Sequence, residues 1–173
     1  MSALGLLRTL FNYQAWANDE FLEKMEDFDP ELHRDQQHAA MRLINHSNVV
    51  AQIFAAHLSG APHKFSTDNP LETPALRDLR VAVAASGRWY LEYLETVTPE
   101  QLTELVPFSF TDGDRGYMSR EEMLTHLIVH GGYHRGEVGR IMAQLCLGLP
   151  WDTFAVYLHQ TEAWRRRQTV EAT

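Results

Sequence analysis

The sequence predicts an all-α protein: a four-helix bundle with a short extra C-terminal helix and a small hairpin-like excursion before the fourth helix. Three observations predict it. Four long stretches place apolar side chains three and four positions apart, the period of a helix buried along one face. Each stretch is bounded by residues that start or stop helices. Only one segment, 99–118, alternates apolar and polar residues as a strand does.

The first helix is expected over 4–25, where Leu7, Leu10, Phe11, Phe21, Leu22 and Met25 share a stripe with Gln14 and Asn18. Polar groups on a buried stripe must find partners, so these two amides are either satisfied core groups or groups aimed at a central site. Asp29-Pro30 breaks the helix, because proline disfavours helical backbone in the residue before it. The second helix is expected over 35–58, with Leu43, Val50, Ile53 and Phe54 on its stripe together with His46 and His57. Gly60 and Pro62 end it and open a loop over 60–73. Thr73 reads as the N-cap of the third helix, with Pro74 at its first position. Leu76, Leu79, Val83, Ser86, Tyr90, Leu94 and Val97 then form its seam, and Thr98-Pro99 stops it.

In 99–118, Val106, Phe108 and Phe110 alternate and Asp112-Gly113 marks a turn, which predicts a hairpin. Ser119 with Glu122 is a capping box that starts the fourth helix, expected to run to about 146, before Gly148 and Pro150. A fifth helix is expected over 151–165. The basic run Arg165-Arg166-Arg167 reads as its solvated end, where cations suit the helix dipole.

The 173 residues read as one domain, 1–173, of ordinary globular composition: 45% hydrophobic, 22% charged. A formal charge of −8 argues against binding the phosphate backbone of nucleic acid, which needs clustered cations. One cysteine, Cys146, excludes an internal disulfide and reads as an inert buried thiol. No apolar run reaches the roughly 18 residues of a membrane span. Residues 1–12 carry a helical pattern rather than that of a signal peptide, so the expected location is cytoplasmic.

The fourth helix carries the chemistry. His126, His130 and His134 recur every fourth residue. On a wheel with His130 at zero, His134 falls at about 40° and His126 at about −40°, while Met123, Leu127, Ile141 and Leu145 fall at about 20–60°. This reading puts His134 at the centre of the buried face and His126 at its edge. His126 and His134 are also about 12 Å apart along the axis, too far to share one ion with His130. The metal pair is therefore His130 and His134, and His46, mid-way along the second buried stripe, is the third ligand. His57 lies nearer a helix end, and His33, His38, His63 and His159 read as surface residues. Three neutral imidazoles suit Zn, Ni or Fe in the divalent state and leave positions open for water or substrate. Gly131 follows His130 where a zincin has its glutamate. Glu137, one turn beyond His134, is placed to act as base or orienter, or to pair with an arginine such as Arg140. Gly132, Gly136, Gly139 and Ala143 share the opposite face and suggest a close neighbour there, within the fold or in a second copy.

Three readings follow: a metal-dependent enzyme in which Gln14, Asn18 or Glu137 orients the nucleophile or substrate, a metal-binding bundle without catalysis in a structural or sensing role, and a helical interaction module whose histidines are core. The cofactor expected under the first two is a divalent metal, Zn or Ni, and the expected partner under the first is a small-molecule substrate.

The run His126-x-x-x-His130-x-x-Tyr133-His134-Arg135-Gly136-Glu137 resembles the helix-four signature of the DinB/YfiT-like superfamily of metalloenzymes. Phe11 to Asn18 resembles that family's N-terminal segment, Asn45-His46 its helix-two ligand position, and Leu149-Pro150-Trp151-Asp152 its closing segment. The resemblance implies a four-helix bundle, a divalent metal on His46, His130 and His134, and a homodimer. It also implies transfer or isomerisation chemistry dependent on a low-molecular-weight thiol. Glu137 departs from the pattern, which more often carries Gln there.

Overall fold

The computed structural model describes residues 2–167; Met1 and residues 168–173, the ends of the expected 1–173 domain, lie outside them. The architecture is mainly helical, as the apolar spacing predicts. Helix α1 (Ala3–Lys24) starts at Ser2, whose hydroxyl accepts from the Gly5 amide at 3.1 Å. Helix α2 (Arg34–Ser59) ends at Gly60, where φ is 66° and the amides of Gly60 and Ala61 turn back to the carbonyls of His57 and Ala56. That left-handed closing turn is the conformation glycine adopts without steric cost. Helix α3 spans Leu76–Thr96. Strands β1 (Leu105–Ser109) and β2 (Arg115–Ser119) pair antiparallel, Phe108 opposite Gly116. A Cβ on Gly116 would lie 3.0 Å from the Phe108 ring, so the glycine makes room for it. Ser119 and Glu122 form the capping box that opens helix α4 (Arg120–Gln144). A short helix, α5 (Phe154–Thr161), follows with Thr153 as its N-cap.

Four details differ from the sequence reading. Helix α3 begins at Leu76 after Ala75, and no side chain caps it; Thr73 lies outside the helix with its hydroxyl buried and unpartnered. Helix α5 starts and stops inside the expected 151–165, because Pro150 and the capping residue Thr153 delay its start, and residues 163–167 form a 3₁₀ turn. Cys146 is exposed rather than buried. It takes the left-handed position that closes α4, with φ 56°, while the Leu147 amide bonds to the Met142 carbonyl at 3.1 Å. Leu147 and Met142 meet beneath it in the core, so the turn turns the thiol outward. His63, expected at the surface, is half-buried against His57 and Phe65.

In the bundle, α2 packs chiefly on α4, and α1 on α3. The apolar side chains gather in two clusters. One joins Leu7 and Phe11 to Phe54, Leu94 and Leu127. The other joins Phe21 and Leu22 to Ile44, Leu79, Val138 and Met142. Between them runs a polar belt: Gln14 and Asn18 on α1, Asn45, His46 and Asn48 on α2, Ser86 on α3, and His130, His134 and Arg135 on α4. The clusters above and below fix the helices in register, and that register brings the belt residues face to face.

Candidate metal centre

The belt places His46 from α2 beside His130 and His134 from α4. Their ring planes cross at 66–85°, with centroids 4.5–5.0 Å apart. The Nε2 atoms converge: His130 Nε2 lies 3.2 Å from that of His46 and 3.1 Å from that of His134. Three nitrogens each about 2.05 Å from one ion stand about 2.9 Å apart in octahedral and about 3.3 Å apart in tetrahedral geometry. The observed spacings fall between those limits.

The outer partners decide which nitrogens carry protons. His46 Nδ1 lies 2.9 Å from the Asp68 carbonyl, which can only accept, so Nδ1 is protonated and the Nε2 lone pair points inward. His134 Nδ1 likewise donates to Glu137 Oε2 at 2.7 Å. Two fixed lone pairs therefore face His130 Nε2, which could offer a proton to only one of them. His130 Nδ1 is itself buried and unpartnered. Burial, then the neighbouring His134 and His46, lowers the His130 pKa to about 4, so His130 is neutral at about pH 7 and its one ring proton cannot satisfy both lone pairs. A shared cation does: among the described residues these three form a group able to hold a metal ion. The donor set fits a divalent ion.

The DinB family model matches residues 1–168. The chain belongs to the DinB family. It is 21% identical to "Protein DinB" of Bacillus subtilis (strain 168), over 88% of this chain and 94% of that one. No solved structure matches significantly. In this DinB-family chain no helix among the described residues is long and apolar enough to cross a membrane.

The buried face of α4 is turned away from where Met123, Leu127, Ile141 and Leu145 put it. Met123, Leu124, Leu127, Gly131, Arg135, Val138 and Met142 are buried, which centres the face at about 90° on the same wheel. His130 and His134 thus lie at its edge, half-buried, rather than at its centre. The deepest polar residue is Arg135, 1% exposed. Its Nε donates to Asp152 Oδ2 at 2.8 Å and its Nη1 to Asn18 Oδ1 at 3.1 Å. Tyr13 donates to Asp152 Oδ1 at 2.5 Å and lays its ring 5.7 Å from the guanidinium. Phe154 and Tyr157 of α5 pack on Tyr13, so this ion pair fastens the C-terminal segment to α1 and α4.

Asn18 and Gln14 therefore reach α4 on its Arg135 side. Asn18 bonds Arg135, and Gln14 Oε1, unpartnered, lies 2.8 Å from where a Cβ on Gly131 would stand. No hydrogen bond joins either amide to the three histidines among the described residues. The close approach falls at Gly131 and not on the expected glycine face. Gly136 meets nothing within 4 Å, and Gly139 only the Phe21 ring at 3.8 Å. Glu137 pairs with His134 rather than with an arginine.

Beside the triad, an open cavity of about 180 Å³ is bounded by His46 and His130, by Phe54 and His126, and by Phe108 and Phe110 of the hairpin. His126 is not among the converging ligands; it stacks on His130 with centroids 5.2 Å apart. Burial lowers its pKa, and burial followed by the nearby His63 lowers that of His57, also on the cavity wall. The loop and hairpin left unassigned by the helix pattern thus form one side of the cavity, through Asp68 and residues 108–111.

Proposed function

We propose that this DinB-family chain is a metal-dependent enzyme that activates a thiol, or water, against a small electrophile. The observation that supports it best is the cavity: an ion on His46, His130 and His134 would face a space open to a small molecule instead of being closed in by a fourth side chain. A divalent ion bound there, Zn or Ni, supplies Lewis acidity that lowers the pKa of a thiol or water donor. The chain supplies the rest. Asp68 and Glu137 hold two imidazoles in the tautomer that aims Nε2 inward. Phe54 and Phe108 keep bulk water from one side of the reacting centre. Glu137 acts on the ion through His134, as a positioning residue; Gln14 and Asn18 position α4 from its far side. In the thiol reaction the S–H proton passes to solvent, an S–C bond forms, and the leaving group departs with its bonding pair.

The partners in this reading are a low-molecular-weight thiol and a small electrophile in the cytoplasm, with no role for nucleic acid or membrane. A homodimer accords with it. The α4 face bearing Val129 (66% exposed), Tyr133 (65% exposed), Gly136 and Ala143 is open and is where a second copy would pack.

The test is metal content, followed by turnover. Purified protein should hold about one divalent ion per chain, and His130→Ala should abolish the thermal stabilisation that added Zn or Ni gives. Bacillithiol or mycothiol with 1-chloro-2,4-dinitrobenzene should release chloride only when metal is bound. Metal binding without turnover over a panel of thiols and electrophiles would leave a non-catalytic metal-binding bundle. No metal, and no effect of His130→Ala, would reject the site.

A further inference from the structure

The cavity beside the triad has a definite chemical character. Among the described residues its wall holds no lysine or arginine. One flank is a stack of three rings leading away from the triad: His130, His126 at 5.2 Å and 20°, then Phe54 at 5.0 Å and 14°. The middle ring, His126, is stacked on both faces but exposed at its rim, so it offers its edge and its nitrogens at the cavity mouth. Phe108 and Phe110 meet edge to face at 4.9 Å on the hairpin side, and Phe108 closes on Phe54 at 6.2 Å. Exposed ring edges carry the positive end of the aromatic quadrupole and favour the face of another ring.

We infer that this cavity binds the uncharged aromatic body of the electrophilic substrate, with its reacting end toward the three Nε2 atoms and His126 and Phe108 setting specificity. This rests on the catalytic reading for the direction of the reacting end, and on the cavity alone for the class of body bound. An anionic group carried at the far end would be desolvated against phenylalanine rings with no cation to receive it. That cost is large enough to decide binding.

The experiment compares matched ligands on Zn-loaded protein by calorimetry: benzyl mercaptan, 4-(mercaptomethyl)benzoate and cyclohexylmethanethiol. All three present the same donor, so differences report the cavity. Benzyl mercaptan should bind about tenfold or more tighter than the benzoate, and measurably tighter than the saturated ring. His126→Ala and Phe108→Leu should each bring the aromatic and saturated thiols to within about threefold of each other, while Zn content stays unchanged. Equal or tighter binding of the benzoate, or variants that leave the preferences intact, would overturn the inference. Should the protein hold no Zn, the proposed function fails separately. Benzyl alcohol against 4-(hydroxymethyl)benzoate, followed by ligand-observed NMR, then decides the cavity's preference: selective binding of the alcohol upholds it, and its absence overturns it.

Discussion

Glu137 Oε2 lies 2.7 Å from His134 Nδ1, one turn away on the same helix, and fixes which nitrogen of that imidazole faces the metal centre. A carboxylate in this position also raises the basicity of the ligand nitrogen. Glu137→Ala should therefore weaken divalent-ion binding by about ten- to a hundredfold. Glu137→Gln keeps an acceptor but loses the charge, so its loss should be smaller, about tenfold or less. Competition titration against a chromophoric chelator reads both values. Equal affinity for Glu137→Ala and wild type would show that the bond does not orient His134 for a metal.

Gly131 is where α1 comes closest to α4. A Cβ there would stand 2.8 Å from Gln14 Oε1, 3.2 Å from its Cδ and 3.3 Å from Arg135 Nη1. Alanine gains about 1 kcal/mol of helix propensity over glycine, while overpacking a full site costs about 1–3 kcal/mol. Gly131→Ala should accordingly destabilise the fold by about 1 kcal/mol in urea unfolding. Gln14 Oε1 is a buried acceptor without a partner, so truncating it sacrifices no hydrogen bond there. Adding Gln14→Ala to Gly131→Ala should recover the loss, and a double-mutant cycle measures the coupling.

The four helices and the triad were legible because they rest on short-range signals. The stripes of α1 to α4, the Gly60 stop and the Ser119 capping box are local patterns, and His130 with His134 follows from helical pitch alone. His46 was legible because it interrupts an apolar stripe at mid-helix. The depth of Arg135 was not. The four apolar residues that set the wheel lie at about 20–60°, whereas Leu124, Val138 and Met142, with Gly131 and Arg135, carry the buried face of α4 round to about 80–140°. Arg135 is tolerated there because Asp152, seventeen residues later and outside any helix pattern, returns to neutralise it. Similarly, the cavity needs residues 108–111 to fold over α2. That is tertiary information, which the alternation of Val106 and Phe108 signals only as strand.

The Arg135–Asp152 pair makes the next prediction. Arg135 is 1% exposed and Asp152 15%, so removing the carboxylate leaves a desolvated guanidinium with Asn18 as its remaining partner. Breaking a buried pair in this way costs about 3–5 kcal/mol, whereas replacing both members with apolar groups is often near neutral. Asp152→Ala should lower stability by about 3 kcal/mol, and Arg135→Met with Asp152→Leu should be within about 1 kcal/mol of wild type. Chemical denaturation with matched m-values checks both. A single-variant loss below about 1 kcal/mol would mean that water reaches the guanidinium.

Tyr13 reports the same clasp through pH. Burial, then its hydrogen bond to the Asp152 carboxylate, raises the phenol pKa from 10.0 to about 12. The unfolded chain releases this proton near its ordinary pKa, while the folded chain keeps it, so between those values the unfolded state binds fewer protons. The contribution is fully present below pH about 10 and is lost as pH rises toward about 12. Wild-type melting temperature should therefore fall more steeply over that interval than that of Tyr13→Phe, which has no proton to lose. Phenolate absorbance of the folded protein should show one tyrosine titrating late that is missing from the variant. Parallel melting curves for the two proteins across the alkaline range would show that the folded chain does not hold Tyr13 protonated.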